Sequence, residues 1–233
     1  MGARERAGQD VRMRRSLAPA ALLLAGCVSS GTPLEVHERD VFVPNLRLSS
    51  ARGGGAFELD FAQARAQSTQ QLAPSEHSTL GSETFYGPQA IGTEARVSVL
   101  DAVGRTRSMD AEQKLGFEFL AGLGYARYDF AVVRGNRRFT DGSAAVGLVG
   151  GMGLVWRVLP STSVQGRLTY FASTLVTEKS ELERWDLAAA QALGRSVSLR
   201  AGYSWWELKS TRGGASDVHA RLSGPSLGLE LSF

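Results

Sequence analysis

The chain has a single cysteine, Cys27, in 233 residues. That excludes an intrachain disulfide and a cysteine-rich zinc site. Its three histidines, His37, His77 and His219, are scattered and form no ligand spacing. The only long apolar run, residues 17–25, is too short to cross a bilayer as a helix. An excess of one charge is missing too. The net charge of +3 is accounted for by residues 1–15, where Arg4, Arg6, Arg12, Arg14 and Arg15 outnumber Glu5 and Asp10. No basic cluster is interleaved with aromatics, so nucleic acid is not an expected partner. The glycine-rich stretch Gly147–Gly153 lacks the following Lys-Ser/Thr of a phosphate-binding loop.

Residues 1–26 have the layout of a secretory signal. A positive region, Met13-Arg14-Arg15, precedes the apolar Leu17–Leu24, and small residues lead to Cys27. Met13 is a second candidate start. Leu24-Ala25-Gly26-Cys27 resembles a bacterial lipobox. The resemblance implies cleavage before Cys27, acylation of its thiol and amino end, and palmitate on the mature protein. The inner-membrane retention signal of that group, an Asp beside the cysteine, is replaced by Val28, which favours the outer membrane. Residues 27–55 mix Ser, Gly, Pro and charge and end in Gly53-Gly54-Gly55, the composition of a linker. Within it, Asp40–Leu48 is more apolar than a tether, but Pro44 argues against a central strand.

From Ala56 onward, apolar residues alternate with small or polar ones, the period of a strand. Eight strand candidates follow, over 56–66, 92–101, 114–126, 144–158, 163–174, 183–192, 196–208 and 220–233. Longer polar connections (67–91, 127–143, 175–182 and 209–219) alternate with tight turns at 159–162 and 193–195; residues 102–113 make a longer turn on the short side. The two faces differ in kind. One carries Leu, Val and aromatics, with Tyr125, Trp185 and Trp205 towards one rim and Phe57, Trp156 and Phe233 towards the other. The opposite face carries many of the 27 glycines and charges of both signs. Glycine weakens a strand that faces water, yet it suits the narrow interior of a small barrel. In that interior Glu58, Asp60, Glu94, Glu118, Asp186 and Glu230 are expected to pair with Arg96, Arg157, Arg167, Arg184 and Arg200 as a luminal salt-bridge network.

The ending Leu227-x-Leu229-x-Leu231-x-Phe233 resembles the terminal strand of bacterial outer-membrane barrels. Residues 56–233 as a whole resemble the small eight-stranded group of the OmpA membrane domain and OmpX. The expected fold is therefore all-β: an eight-stranded antiparallel transmembrane β-barrel, an up-and-down meander preceded by a lipoprotein leader and linker. The resemblance implies outer-membrane lipid as surroundings and the barrel-assembly machinery as a partner of the terminal strand.

Side chains fill so small a lumen, so an open pore is not expected. The expected role is that of a non-enzymatic structural or interaction component of the cell envelope, its loops or linker docking an envelope protein, with no cofactor and no metal. The alternative is an enzyme resembling the lipid A deacylases, using His219, Ser223 and Glu230. That group's close His-x-Ser-Asn spacing is absent, and strand parity separates His219 and Ser223 from Glu230.

Overall fold

In the computed structural model the described residues are 31–52, 55–175, 178–212 and 216–233. The leader and Cys27 lie outside them. The chain is all-β. Its strands are β1 (Leu34–Glu38), β2 (Val43–Arg52), β3 (Gly55–Leu72), β4 (His77–Leu80), β5 (Glu83–Tyr86), β6 (Gln89–Met109), β7 (Leu115–Arg134), β8 (Arg137–Leu159), β9 (Thr162–Leu175), β10 (Glu178–Ala192), β11 (Val197–Arg212) and β12 (Val218–Ser232).

Among the described residues, twelve strands stand where eight were expected. Each expected strand is present as β3 or one of β6–β12, and the additions lie in the supposed linker and first loop. The connections also differ. Residues 127–143 are not a loop: β7 and β8 run on to a two-residue turn, Gly135-Asn136, where Gly135 takes φ 57°. The supposed turn 102–113 is largely the end of β6.

The linker segment is built into the sheet. Asp40, at φ 64°, breaks it into β1 and β2, and both run along β12 in parallel. Between them Val41 N still donates to Ser223 O at 2.9 Å. Pro44 does not prevent this, because pairing with β3 begins only at Asn45. Its missing N–H therefore falls where β2 still has an open side.

The pairings close on themselves. β2 bonds β3, then β6, β7, β8, β9, β10, β11 and β12 follow in order, and β12 returns to β2. The result is a cycle of nine strands, antiparallel except where β12 meets β1 and β2. That parallel step puts Leu34 beside Val218 and Ser49 beside Ser232, so the amino-terminal end of the described chain and Phe233 lie at opposite ends. The end near Phe233 is called the base and the other the cap. Towards the cap, β3 continues past Ala62 without a ladder partner on its β2 side. Side chains stitch that seam. Gln70 Oε1 accepts from Glu35 N at 3.1 Å, Gln70 Nε2 donates to Pro33 O at 2.8 Å, and Gln67 N donates to Glu38 at 2.5 Å.

The hairpin β4–β5 closes the cap. Its buried Leu80 and Phe85 point into the cycle, and Phe85 meets Phe139 edge-on at 5.3 Å. Backbone bonds from Thr32 N to His77 O and from Ser216 N to Thr79 O fasten it to both chain segments that enter the sheet beside it. Beneath it lies an apolar core that includes Leu34, Val36, Ile91, Val97, Tyr128 and Val132.

Inward glycines set how closely the strands and their fillers approach. A Cβ at Gly122 would lie 2.1 Å from Ala102 O, whereas one at the outward Gly150 would meet nothing within 4 Å. Gly122→Ala should therefore lower stability by about 1–3 kcal/mol. Gly150→Ala should change it by less than about 0.5 kcal/mol. Urea titration of the folded protein measures both.

Candidate functional site: a buried charge network

Along most strands the polarity of the two faces exchanges partway. On β6 the inward residues are Ala95, Val97 and Val99, then Asp101 and Arg105; the outward ones are Glu94, Arg96 and Ser98, then Leu100 and Ala102. On β11 the inward Leu208 and Trp206 give way to Ser204 and Arg200, while the outward Glu207 gives way to Trp205, Tyr203 and Leu199. β3, β7 and β10 show the same exchange. Inward Ala64, Tyr128 and Leu182 give way to Asp60, Glu118 and Arg184, and outward Arg65, Arg127 and Glu183 to Phe61, Tyr125 and Trp185. The base half of the cycle is thus polar inside and apolar outside. The cap half is the reverse.

Most inner charges of the base half form one connected network, from which Arg200 and Glu230 stand apart. Glu58 is fully buried and pairs with three arginines: Arg47 Nε at 3.0 Å, Arg105 Nη1 at 2.9 Å, and Arg167. Arg167 also donates to Glu118 at 3.2 Å, and Glu118 accepts from Arg107 Nε at 2.7 Å. Asp60 joins Arg47 at 3.3 Å and Arg184 at 2.9 Å. Arg184 reaches Asp101 at 3.3 Å and Asp186 at 3.2 Å and lies over the Trp206 ring. Ser204 Oγ donates to Asp186 at 2.5 Å. These groups come from β2, β3, β6, β7, β9, β10 and β11, so the network ties distant parts of the cycle together. Such burial is tolerable because every carboxylate of the network meets a donor, and Glu58, Asp60, Glu118 and Asp186 meet more than one.

Of the charges expected inside, Glu58, Asp60, Glu118, Arg167, Arg184, Asp186 and Arg200 lie on the inner face. Glu94 and Arg96 are a correction, since they stand on the outer face of the cap half, where Glu94 pairs with Arg138 at 2.5 Å. The alternation is right there but the inner side is the apolar one, because the core under the hairpin fills it. Arg157 is exposed at the base and outside the network. Glu230 faces inward at the base, half-buried and without an ion pair among the described residues. Arg47, Asp101, Arg105 and Arg107 were missed. Arg47 sits three residues after Pro44, in the supposed linker, and the other three sit at or beyond the expected end of their strand. Their alternation, Asp101-x-Val103-x-Arg105-x-Arg107, was the available signal.

The terminal run Leu227, Leu229, Leu231 and Phe233 lies on the outer face at the base, with Phe233 80% exposed. His219 and Ser223 share the outer face of β12 near the cap. Glu230 faces inward, and at about 3.3 Å per residue it stands about 36 Å from His219 along the strand. These three do not meet the distances of a catalytic triad. Among the described residues no group of three His, Cys, Asp or Glu is placed to hold a metal ion.

Glu58→Gln would leave three buried arginines sharing a neutral amide. It should destabilise the fold by about 3–5 kcal/mol, read from the urea midpoint of the folded protein.

Comparison with known proteins gives no match, whether to a family model, a curated protein or a solved structure.

Proposed function

We propose that the nine-strand cycle is a transmembrane β-barrel of a bacterial outer membrane, acting as a non-enzymatic structural or interaction component of the envelope. The exchange of polarity along the strands carries this reading. In the base half the outer face displays Phe57, Phe117, Phe119, Leu123, Leu148, Met152, Leu154, Trp156, Leu187, Leu199, Leu227 and Leu229, all exposed. An apolar surface of that extent in water would be a severe aggregation hazard. In hydrocarbon it costs nothing, and a closed cycle leaves no backbone edge unsatisfied at that depth. From Leu115 to Tyr125 the outward positions are apolar. At about 3.3 Å per residue and a tilt of about 40°, that run rises about 25 Å, the height of a barrel's lipid-facing band.

Aromatics border the band. Tyr125, Trp185 and Trp205 stand on the cap side, each followed two positions further by a charge: Arg127, Glu183 and Glu207. Phe57, Trp156 and Phe233 stand on the base side. This is the girdle arrangement of interfacial side chains. The cap half then projects beyond the membrane as a water-facing extension, filled by the hairpin and its core. With charges packed below and apolar side chains above, the interior favours a plugged scaffold over a conduit. The extension is the natural docking surface for an envelope partner. Its hairpin presents Tyr86, 68% exposed and stacked on His77.

Acylation at Cys27 remains part of this reading, carried by the Leu24-Ala25-Gly26-Cys27 resemblance; the described chain enters β1 at the cap, opposite Phe233.

A photoactivatable label dissolved in the lipid phase should modify the protein at Phe117, Phe119 and Leu154 and spare Arg96 and Arg127. Protection of the three apolar positions would remove the membrane reading. Cys27→Ser should abolish incorporation of labelled palmitate, and retained label would refute acylation there.

A further inference from the structure

Two grooves on the outer face meet at Trp185 and Trp205, which line both. These residues stand directly opposite each other on β10 and β11, each about half exposed. On the cap side of the pair the groove is charged. Arg39, Glu183, Glu207 and Arg221 line it around a volume of about 620 Å³, the size of a small-molecule site. On the base side it is apolar. Phe119, Leu154, Leu168 and Leu187 line that part, around about 780 Å³.

The apolar part is a trough with a structural cause. Gly166 faces outward on β9, between Leu154 of β8 and Leu187 of β10. A Cβ there would meet nothing within 4 Å. The missing side chain thus opens a channel between two rows of large apolar residues.

The charged part holds one free group of each sign. Glu207 is engaged by Lys209 at 3.1 Å and by Arg221 at 3.3 Å. Glu38, also on the groove, accepts from Gln67 N at 2.5 Å. Glu183 lies directly opposite Glu207, and like charges so placed repel. It accepts from Trp185 Nε1 at 2.5 Å but has no ion pair among the described residues. Arg39 is exposed between β1 and β2 and has none either. A ligand of a single charge would satisfy one of these two and repel the other. A zwitterion satisfies both. Glu183 and Arg221 stand two strands apart in one row, about 10 Å at the backbone, a span that two side chains and a small headgroup fill. The trough beyond the Trp pair asks for an apolar tail on the same molecule.

We propose that this groove holds one zwitterionic glycerophospholipid of the phosphoethanolamine class. Its phosphate lies between Arg39 and Arg221, its ammonium at Glu183 beside the Trp pair, and an acyl chain in the trough over Gly166. An ammonium is attracted by an indole face, and its N–H groups can donate to the carboxylate. The site rests on the membrane reading above and adds to it that one lipid is selected from the surrounding bilayer.

The test is native mass spectrometry of the full protein folded in detergent and offered equal amounts of phosphatidylethanolamine and phosphatidylglycerol. One phosphatidylethanolamine should be retained, about fivefold in preference. Glu183→Gln should remove the preference. Gly166→Leu, which suits a strand better than glycine does, should lower retention of both lipids. Gly150→Leu, equally open but outside the groove, should behave as wild type. Equal retention of the two lipids by the wild type, or a Gly166→Leu protein that keeps its lipid, would overturn the site. A lipid-phase label in vesicles of the same two lipids separates this site from the membrane reading. Label at Phe117 and Leu154 without a lipid preference removes the site alone, and no label there removes both.

Discussion

The parallel ladder between Val43–Ser49 and Ser226–Ser232 turns a sheet into a closed surface. The rest of the structure depends on it. An open sheet of this length would present two edges of unpaired backbone and would have no inside. Once β2 lies between β12 and β3, the pleat assigns every side chain to an enclosed face or to a surrounding one. Glycines, arginines and carboxylates then fall on the enclosed face in the base half, and large apolar groups on the surrounding one.

Closure and the charge network depend on each other. Arg47 is carried by β2, the closing strand, and bridges Glu58 and Asp60 on its neighbour β3. Those carboxylates also bind Arg167 on β9 and Arg184 on β10, across the interior. Without β2 the network loses a cation from its centre and one wall of its enclosure. Without the network β2 would bring a buried arginine to a face with no counter-charge. Ion pairs of this kind add modest net stability, but removing one member is costly. They therefore specify which strand closes the cycle more than they strengthen it.

Much of the strand pattern was legible because period two is a local property. Residues from Phe57 to Phe233 alternate strongly enough to mark β3 and β6–β12 without knowledge of their neighbours. β2 was hidden by Pro44, whose missing donor is harmless only because the β3 ladder starts one residue later. β4 and β5, of four residues each, are too short to read by periodicity. The sides of β6 were exchanged in its cap half because alternation separates two faces without saying which is enclosed. Glu94 and Arg96 share parity with Leu100, and only the buried core that holds Val97 and Ile91 together with the hairpin's Leu80 and Phe85 decides that this parity is the outer one.

By itself the sequence determined the all-β character, most strand positions, and the separation of apolar from small and charged residues on opposite faces. These follow from side-chain geometry within a single strand. Only the tertiary structure decided that residues 34–52 join the sheet, that nine strands close the cycle, and that inside and outside exchange polarity at the middle. It also brought Arg47, Asp101, Arg105 and Arg107 into one network with Glu58 and Asp60. Those outcomes rest on contacts between strands far apart in the chain, where each charge is tolerable only because of partners that folding brings to it.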